Sequence, residues 1–232
     1  MNVFIIFLGQ MMLLFILSDR ISKLLYRFFW RVFKNKQTAI GVLTFLFLPG
    51  TVIHELAHLI VAEVLRVPTG KISFTPEIEK ISSTHDEIQA GSVEIGKTDP
   101  LRRLIIGTAP VYFGVFFLFL LTFVFNRIWP NLIDTKARIA FGTLIGFLLF
   151  AISNNMFSSR KDMEGAWILL PLFGLLTALV YISGIRFTLT DQALTVTLSL
   201  LQTLTTSLSW VLVINGVIFL LGKIIERWMS WM

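Results

Sequence analysis

The chain has 232 residues, of which 55% are hydrophobic and only 15% are charged, and its formal net charge is +6. Soluble domains average about 45–50% apolar and about 25% charged residues, so the composition excludes an ordinary soluble domain and indicates a polytopic membrane protein. The excess basic residues lie beside apolar runs, which indicates contact with the headgroups of a lipid bilayer and no nucleic-acid partner.

Six apolar runs are long enough, or nearly so, to cross a bilayer, which takes about 20 apolar residues in a helix. They lie near 2–18, 39–65, 103–125, 138–157, 166–185 and 198–222. After the first run, Lys and Arg alternate with aromatic residues over 19–36, which indicates an interfacial amphipathic helix or a helix end anchored at the headgroups. We therefore expect an all-α polytopic membrane protein with about six transmembrane helices, located in the cell membrane.

The one long polar connection runs from Arg66 to Arg103 and shows partial alternation of apolar and polar residues. This pattern predicts a small membrane-associated β-hairpin over 71–96, with a disordered loop as the alternative. Basic residues outnumber acidic ones in the 19–36 and 126–138 loops but not in this connection. Because basic loops stay in the cytoplasm, we expect those two loops inside and the hairpin outside.

The stretch "IHELAHL" places three polar residues inside an apolar run. His54 and His58 are four residues apart and therefore share one face of a helix, where two imidazoles can bind one Zn²⁺. Glu55 can then act as general acid and base on a water that the metal activates. Glu63, about 140° round the helix from His58, and His85 in the polar connection are weaker candidates for a further ligand.

A third ligand is needed, and the chain has no cysteine to supply it. The best candidates follow the fourth run in "ISNNMFSSRKDMEGAW", where polar residues interrupt apolar sequence. Asp162 is the predicted third ligand and Glu164 is the alternate. A plain short loop is the other interpretation of this stretch. Asn154 and Asn155 come early in the interruption, where polar groups at membrane depth indicate a cavity.

These two motifs together resemble the site-2 protease family of intramembrane zinc metalloproteases. Its members carry His-Glu-x-x-His in one transmembrane helix and an Asn-x-x-Pro-x-Pro-x-x-Asp-Gly-type motif in a later one. Asn154 precedes Asp162 by the family's eight residues, although the prolines are absent and Gly165 follows Asp162 by three residues. The "IGTAPVYFG" run is similar to the family's Gly-Pro-x-x-Asn stretch. The resemblance implies a core at 39–167 between an N-terminal helix and basic segment (1–38) and C-terminal helices (168–232).

The resemblance further implies that Asn154 and Asn155 bind an unwound substrate, and that the hairpin offers an edge to an extended peptide. It places the zinc nearer the cytosol, in conflict with the basic loops. We expect a zinc endopeptidase whose partners are transmembrane proteins or peptides. Two alternatives are a prenyl-protein-type membrane metalloprotease, with Glu164 as a ligand, and a catalytically silent metal-binding scaffold. The sequence does not indicate an oligomeric state.

Overall fold

The computed structural model of the protein describes residues 2–73, 77–82, 85–89, 91–157 and 190–229, together with positions 175, 179, 182 and 183. These residues are mostly helical, and among them five helices are long and apolar enough to cross a membrane. Many large apolar side chains point outward, among them Phe45, Tyr112 and Leu220. Such a surface is compatible with a membrane protein. The predicted span at 166–185 lies outside the described residues except for isolated positions, so the sixth span stays a prediction.

The elements follow one another in the order α1 (Asn2–Phe33), α2 (Lys36–Val64), β1 (Thr69–Ser73), β2 (Glu77–Ser82), β3 (His85–Gln89), β4 (Ser92–Ile95), α3 (Pro100–Ile128), α4 (Thr135–Asn155) and α5 (Asp191–Met229). A short 3-10 turn at Trp129–Asn131 joins α3 to α4. Side-chain oxygens of Asn35, Asp99 and Asp134 accept hydrogen bonds from first-turn amides of α2, α3 and α4. These caps satisfy amides that have no partner within the helix and so fix where each helix begins.

The basic segment that follows the first apolar run is part of α1, which continues without a break to Phe33. At 1.5 Å per residue its 32 residues extend about 48 Å, well beyond a hydrocarbon core of about 30 Å. The segment is therefore the end of α1 and not a separate helix, and its anchoring at the headgroups stays a prediction. Lys34, with a φ of 52°, then turns the chain into α2.

α1 and α5 lie side by side and run in the same direction. The Gln10 amide donates to the main-chain oxygen of Thr205, at 3.2 Å, and to the hydroxyl of Ser209, at 2.8 Å. About five turns further along both helices, Arg27 Nε lies 3.0 Å from a carboxylate oxygen of Glu226. Because both partners advance together along the chain, the two helices are parallel.

The helices from α1 to α4 alternate in direction. Short turns join α1 to α2 and α3 to α4 at one end of the bundle. At the opposite end, α3 begins where α2 finishes, since Ala62, Val67 and Ile106 form one buried cluster. The strands lie at that second end, where α5 also begins because it is parallel to α1. α4 runs toward the same end and finishes beside His54 of α2.

Four strands occupy the connection for which the sequence predicts a hairpin. β1 pairs antiparallel with β4, so that Ser73 lies opposite Ser92, and β2 pairs antiparallel with β3, so that Ile78 lies opposite Ile88. In sequence order, β2 and β3 both come between β1 and β4. Both ends of the β1–β4 ladder approach α2, since Thr69 contacts Glu63 and Gly91, just before β4, lies beside Glu55.

The first and last helices share the buried core of the middle ones. Leu14 of α1, Leu118 of α3, Leu149 of α4 and Leu208 of α5 belong to one buried cluster. The segments that the sequence analysis places on either side of the core, 1–38 and 168–232, therefore contribute α1 and α5 to the same bundle.

Candidate metal centre

His54 and His58 lie on the buried face of α2, one turn apart. Their rings are nearly perpendicular, at 78°, with centroids 4.8 Å apart. The two Nε2 atoms are 3.1 Å apart. The structure thus confirms that the spacing brings both imidazoles together, and it shows that each presents the same nitrogen to the other.

The other ring nitrogen of each histidine contacts a main-chain oxygen. His54 Nδ1 lies 2.7 Å from the Asn155 oxygen, and His58 Nδ1 lies 2.9 Å from the Ile106 oxygen. Because a carbonyl only accepts hydrogen bonds, each Nδ1 carries the proton and donates it. In a neutral imidazole that assignment leaves Nε2 as the acceptor nitrogen. Nε2 is thus the nitrogen that each neutral ring would present to a metal.

This arrangement fits a cation between the two rings. Zn–N bonds of about 2.0–2.1 Å at a tetrahedral angle hold two ligating nitrogens about 3.3 Å apart, close to the distance found here. Two ring nitrogens this close need a shared proton or a shared cation between them. Histidine ligands of zinc commonly donate their other N–H to a carbonyl or carboxylate, as both rings do here. The two histidines therefore fit zinc, although no three His, Asp or Glu side chains form a complete ligand set within the described residues.

Glu55 is buried beside the histidines and is covered by the near end of the strands. A Cβ atom added to Gly91 would lie 2.9 Å from Glu55 Oε1 and 3.0 Å from the main-chain oxygen of Ser73. Only glycine fits at this position without displacing a neighbour. The chain just before β4 therefore lies directly against the carboxylate that the sequence predicts as the acid and base.

The last turn of α4 is wedged between α2 and α3 beside the histidines. A Cβ added to Gly50 would lie 2.2 Å from the oxygen of Ala151, and one added to Gly114 would lie 2.6 Å from Met156 Cβ. Glycine at both contacts lets the helix backbones approach closely, as small residues do in membrane helix packing. The close approach brings the main-chain oxygen of Asn155 to His54.

The Asn155 side chain points to α2. Its Nδ2 donates to the Phe47 oxygen at 2.8 Å and lies 3.2 Å from Thr51 Oγ1. Proline has no N–H and disturbs the hydrogen bonding of the preceding turn, and Pro49 lies between these two partners. In the structure the Asn155 side chain thus binds α4 to the Pro49 turn of α2, and its predicted contact with substrate stays a prediction.

The Asn154 side chain points toward the terminal helices. Its Nδ2 donates to the Phe150 oxygen and to Asn215 Oδ1, both at 2.8 Å, while its main-chain oxygen accepts from Ser18 Oγ at 2.7 Å. Asn215 in turn donates to Ser153 Oγ at 3.1 Å. Asn154 Oδ1 is buried and has no hydrogen-bond partner within the described structure. A role for Asn154 in holding substrate remains a prediction.

The sequence analysis missed Asn215, which is fully buried in α5. A single asparagine in the apolar run "VLVINGVIFLL" was a usable signal, because a polar side chain at membrane depth needs a partner. Ser18 was a weaker signal of the same kind. Both residues hold the end of α4, which in turn contacts His54.

The remaining candidates lie apart from the histidines or outside the described residues. Asp162 and Glu164 lie outside the described residues. Glu63 is exposed and its carboxylate accepts a hydrogen bond from Thr69 at 3.1 Å, in the turn that leads to β1. The main chain of His85 begins β3 opposite Ser82.

Comparison with protein-family models, with curated proteins and with solved structures gives no match. The class that the described residues define is a bundle of helices long and apolar enough to cross a membrane, with a buried pair of histidines.

Proposed function

We propose that the protein is an intramembrane zinc endopeptidase, which hydrolyses peptide bonds within or near transmembrane segments of other membrane proteins. The observation that carries the proposal is the buried pair of Nε2 atoms 3.1 Å apart, each ring held by its Nδ1 proton on a main-chain carbonyl. A structural histidine pair does not need both acceptor nitrogens to face one another. Burial among apolar helices adds a second reason, because titratable groups are rare at membrane depth except at functional sites.

His54, His58 and Asp162 would hold the zinc, and Glu164 is the alternate third ligand. Asp162 follows Asn155 by seven residues, and an extended chain spans at most about 3.6 Å per residue, so Asp162 is tethered within about 25 Å of the histidines. When bound, zinc would lower the pKa of its water toward about 7 and polarise the substrate carbonyl. The resemblance to site-2 proteases supports the aspartate.

Glu55 would carry the proton during hydrolysis. It adjoins His54 in the chain and is buried on the same side of α2. Its carboxylate would accept a proton from the attacking water and donate it to the amine that leaves when the peptide bond breaks. Exclusion of bulk water by the surrounding helices and by the Gly91 segment would strengthen these electrostatic interactions.

The substrate would be an extended or unwound stretch of a membrane protein. The β1–β4 ladder is two-stranded and reaches the Glu55 carboxylate near Gly91, so an extended peptide could pair with its edge close to the site. Asn154 and Asn155 would contact the unwound segment. A multi-pass protein of the cell membrane with a membrane-associated hairpin at 71–96 is the setting we propose for this reaction.

The test uses purified protein in detergent or nanodiscs, with zinc content and cleavage of single-span substrates measured together. Glu55→Gln should retain zinc and lose cleavage, by about 10²-fold or more, because the proton carrier is gone. Glu63→Gln is the matched control, since it removes an exposed carboxylate from the same helix. Cleavage that survives Glu55→Gln would refute the role of Glu55, and wild-type protein that binds no zinc would refute the metal site.

The third ligand is tested by comparing zinc retention in Asp162→Ala and Glu164→Ala. We expect loss of zinc only in the first variant. Loss only in the second would favour a prenyl-protein-type metalloprotease. Tight zinc binding without turnover of any co-expressed membrane substrate would favour a silent scaffold.

A further inference from the structure

The two carbonyls that hold the histidines share a property: neither can be fully satisfied by its own helix. The Asn155 oxygen belongs to the last residue of α4, so the amide four residues later lies beyond the end of the helix. The Ile106 oxygen lies in the middle of α3, where the amide four residues later would normally donate to it. That later residue is Pro110, which has no N–H.

We propose that Pro110 is a positioning residue for His58, acting through the carbonyl of Ile106. Proline removes the hydrogen bond to the carbonyl four residues earlier, because its nitrogen carries no hydrogen. The Ile106 oxygen then accepts from His58 Nδ1 at 2.9 Å. Pro110 is itself fully buried, and its side chain has no polar atom that could contact zinc or substrate.

The consequence for His58 is a fixed tautomer. With Nδ1 donating to Ile106, the His58 proton stays off Nε2, the nitrogen that faces His54 at 3.1 Å. With an alanine at 110, a new amide would draw the Ile106 carbonyl back toward the helix axis. His58 would then lose a hydrogen bond that orients its ring and favours the metal-binding form.

The experiment compares three forms of the full chain: wild type, Pro110→Ala, and a chain in which the residue at 110 is α-hydroxyalanine. The ester bond of the third form has no N–H and no proline ring, so it separates the missing donor from the ring itself. Two readouts are used: the ¹⁵N shifts of the histidine rings in metal-free protein, and the zinc affinity measured by chelator competition. The chain has only three histidines, so the ¹⁵N spectrum can be assigned with single variants.

We expect wild type and the ester to show His58 protonated at Nδ1 and to bind zinc equally. Pro110→Ala should shift His58 toward the Nε2-protonated form and weaken zinc binding by about 10–100-fold, the usual effect of removing a hydrogen-bond partner from a metal-ligating histidine. An unchanged His58 spectrum and affinity in Pro110→Ala would overturn the proposal. An ester that behaves like alanine would also overturn it, because the ring rather than the missing donor would then matter.

The proposal rests on the proposed zinc site, but the two can fail separately. If wild-type protein binds no zinc, the proposed function fails. The tautomer of His58 in metal-free protein still tests whether Pro110 sets the ring. If wild-type protein binds zinc and only the Pro110 comparison shows no effect, the proposed function stands and the positioning role falls.

Discussion

Replacement of Gly50 by alanine should weaken the metal centre without touching a ligand. An added Cβ would lie 2.2 Å from the Ala151 oxygen, whereas Cβ contacts under 3.0 Å are essentially never found, so α2 and α4 must separate by about 0.8 Å. The same last turn of α4 supplies the Asn155 oxygen that accepts from His54 Nδ1 at 2.7 Å. A displacement of that size takes the hydrogen bond to the limit of about 3.5 Å, beyond which it is lost.

Loss of this hydrogen bond should lower zinc affinity by about 10–100-fold, equivalent to about 1.4–2.8 kcal/mol. The overpacked contact should also destabilise the protein by about 1–3 kcal/mol. Zinc affinity is measured by chelator competition in detergent, and stability by unfolding in mixed micelles. Gly41→Ala is the matched control, because Gly41 is on the same helix and a Cβ there meets nothing within 4 Å. If Gly50→Ala binds zinc as tightly as Gly41→Ala, the link between α4 and His54 is refuted.

Two further substitutions test the surroundings of the site. Gly91→Ala should lower kcat by displacing the Glu55 carboxylate. Zinc content should stay at the wild-type level, because the added methyl group contacts neither histidine. Cleavage and bound zinc are measured on the same samples. Asn215→Ala should destabilise the bundle by about 1–2 kcal/mol, because it removes the hydrogen bond to Asn154. Gly216→Ala is the control and should be neutral in the same unfolding assay, because a Cβ there meets nothing within 4 Å.

Each of these two predictions has a result that would contradict it. Full activity in Gly91→Ala would mean that the segment before β4 moves away from the carboxylate during turnover. Equal stability of Asn215→Ala and Gly216→Ala would show that the buried asparagine pair contributes nothing to holding α4 against α5.

The features that could be predicted from the sequence are those that depend on the pattern of side chains. Apolar runs predicted membrane-compatible helices, and the four-residue spacing of His54 and His58 predicted that their rings meet. Alternation over 71–96 predicted strands, although it could not show which strand pairs with which. Pattern was ambiguous for the basic stretch at 19–36, because a helix that continues past the membrane and a separate interfacial helix have the same periodicity.

The parts of the site that depend on main-chain atoms could not be predicted in this way. Every residue has a carbonyl, so nothing in the letters marks the oxygens of Ile106 and Asn155 as partners of histidines. Pro110 indicates that the Ile106 oxygen lacks its usual amide partner. That points to His58 only once α3 is known to lie against His58. The roles of Gly50 and Gly114 could not be predicted for the same reason, because the close approach that requires glycine exists only between packed helices.

The parallel packing of α1 and α5 determines on which side of the membrane each end of the described chain emerges. Because Gln10 contacts Thr205 while Arg27 contacts Glu226, Asn2 and Met229 lie at opposite ends of the bundle. In a bilayer these two residues would face different compartments whichever way the protein is inserted, whereas an even number of crossings would return them to one compartment. The compartments of the two ends thus report whether the chain crosses the membrane an odd or an even number of times.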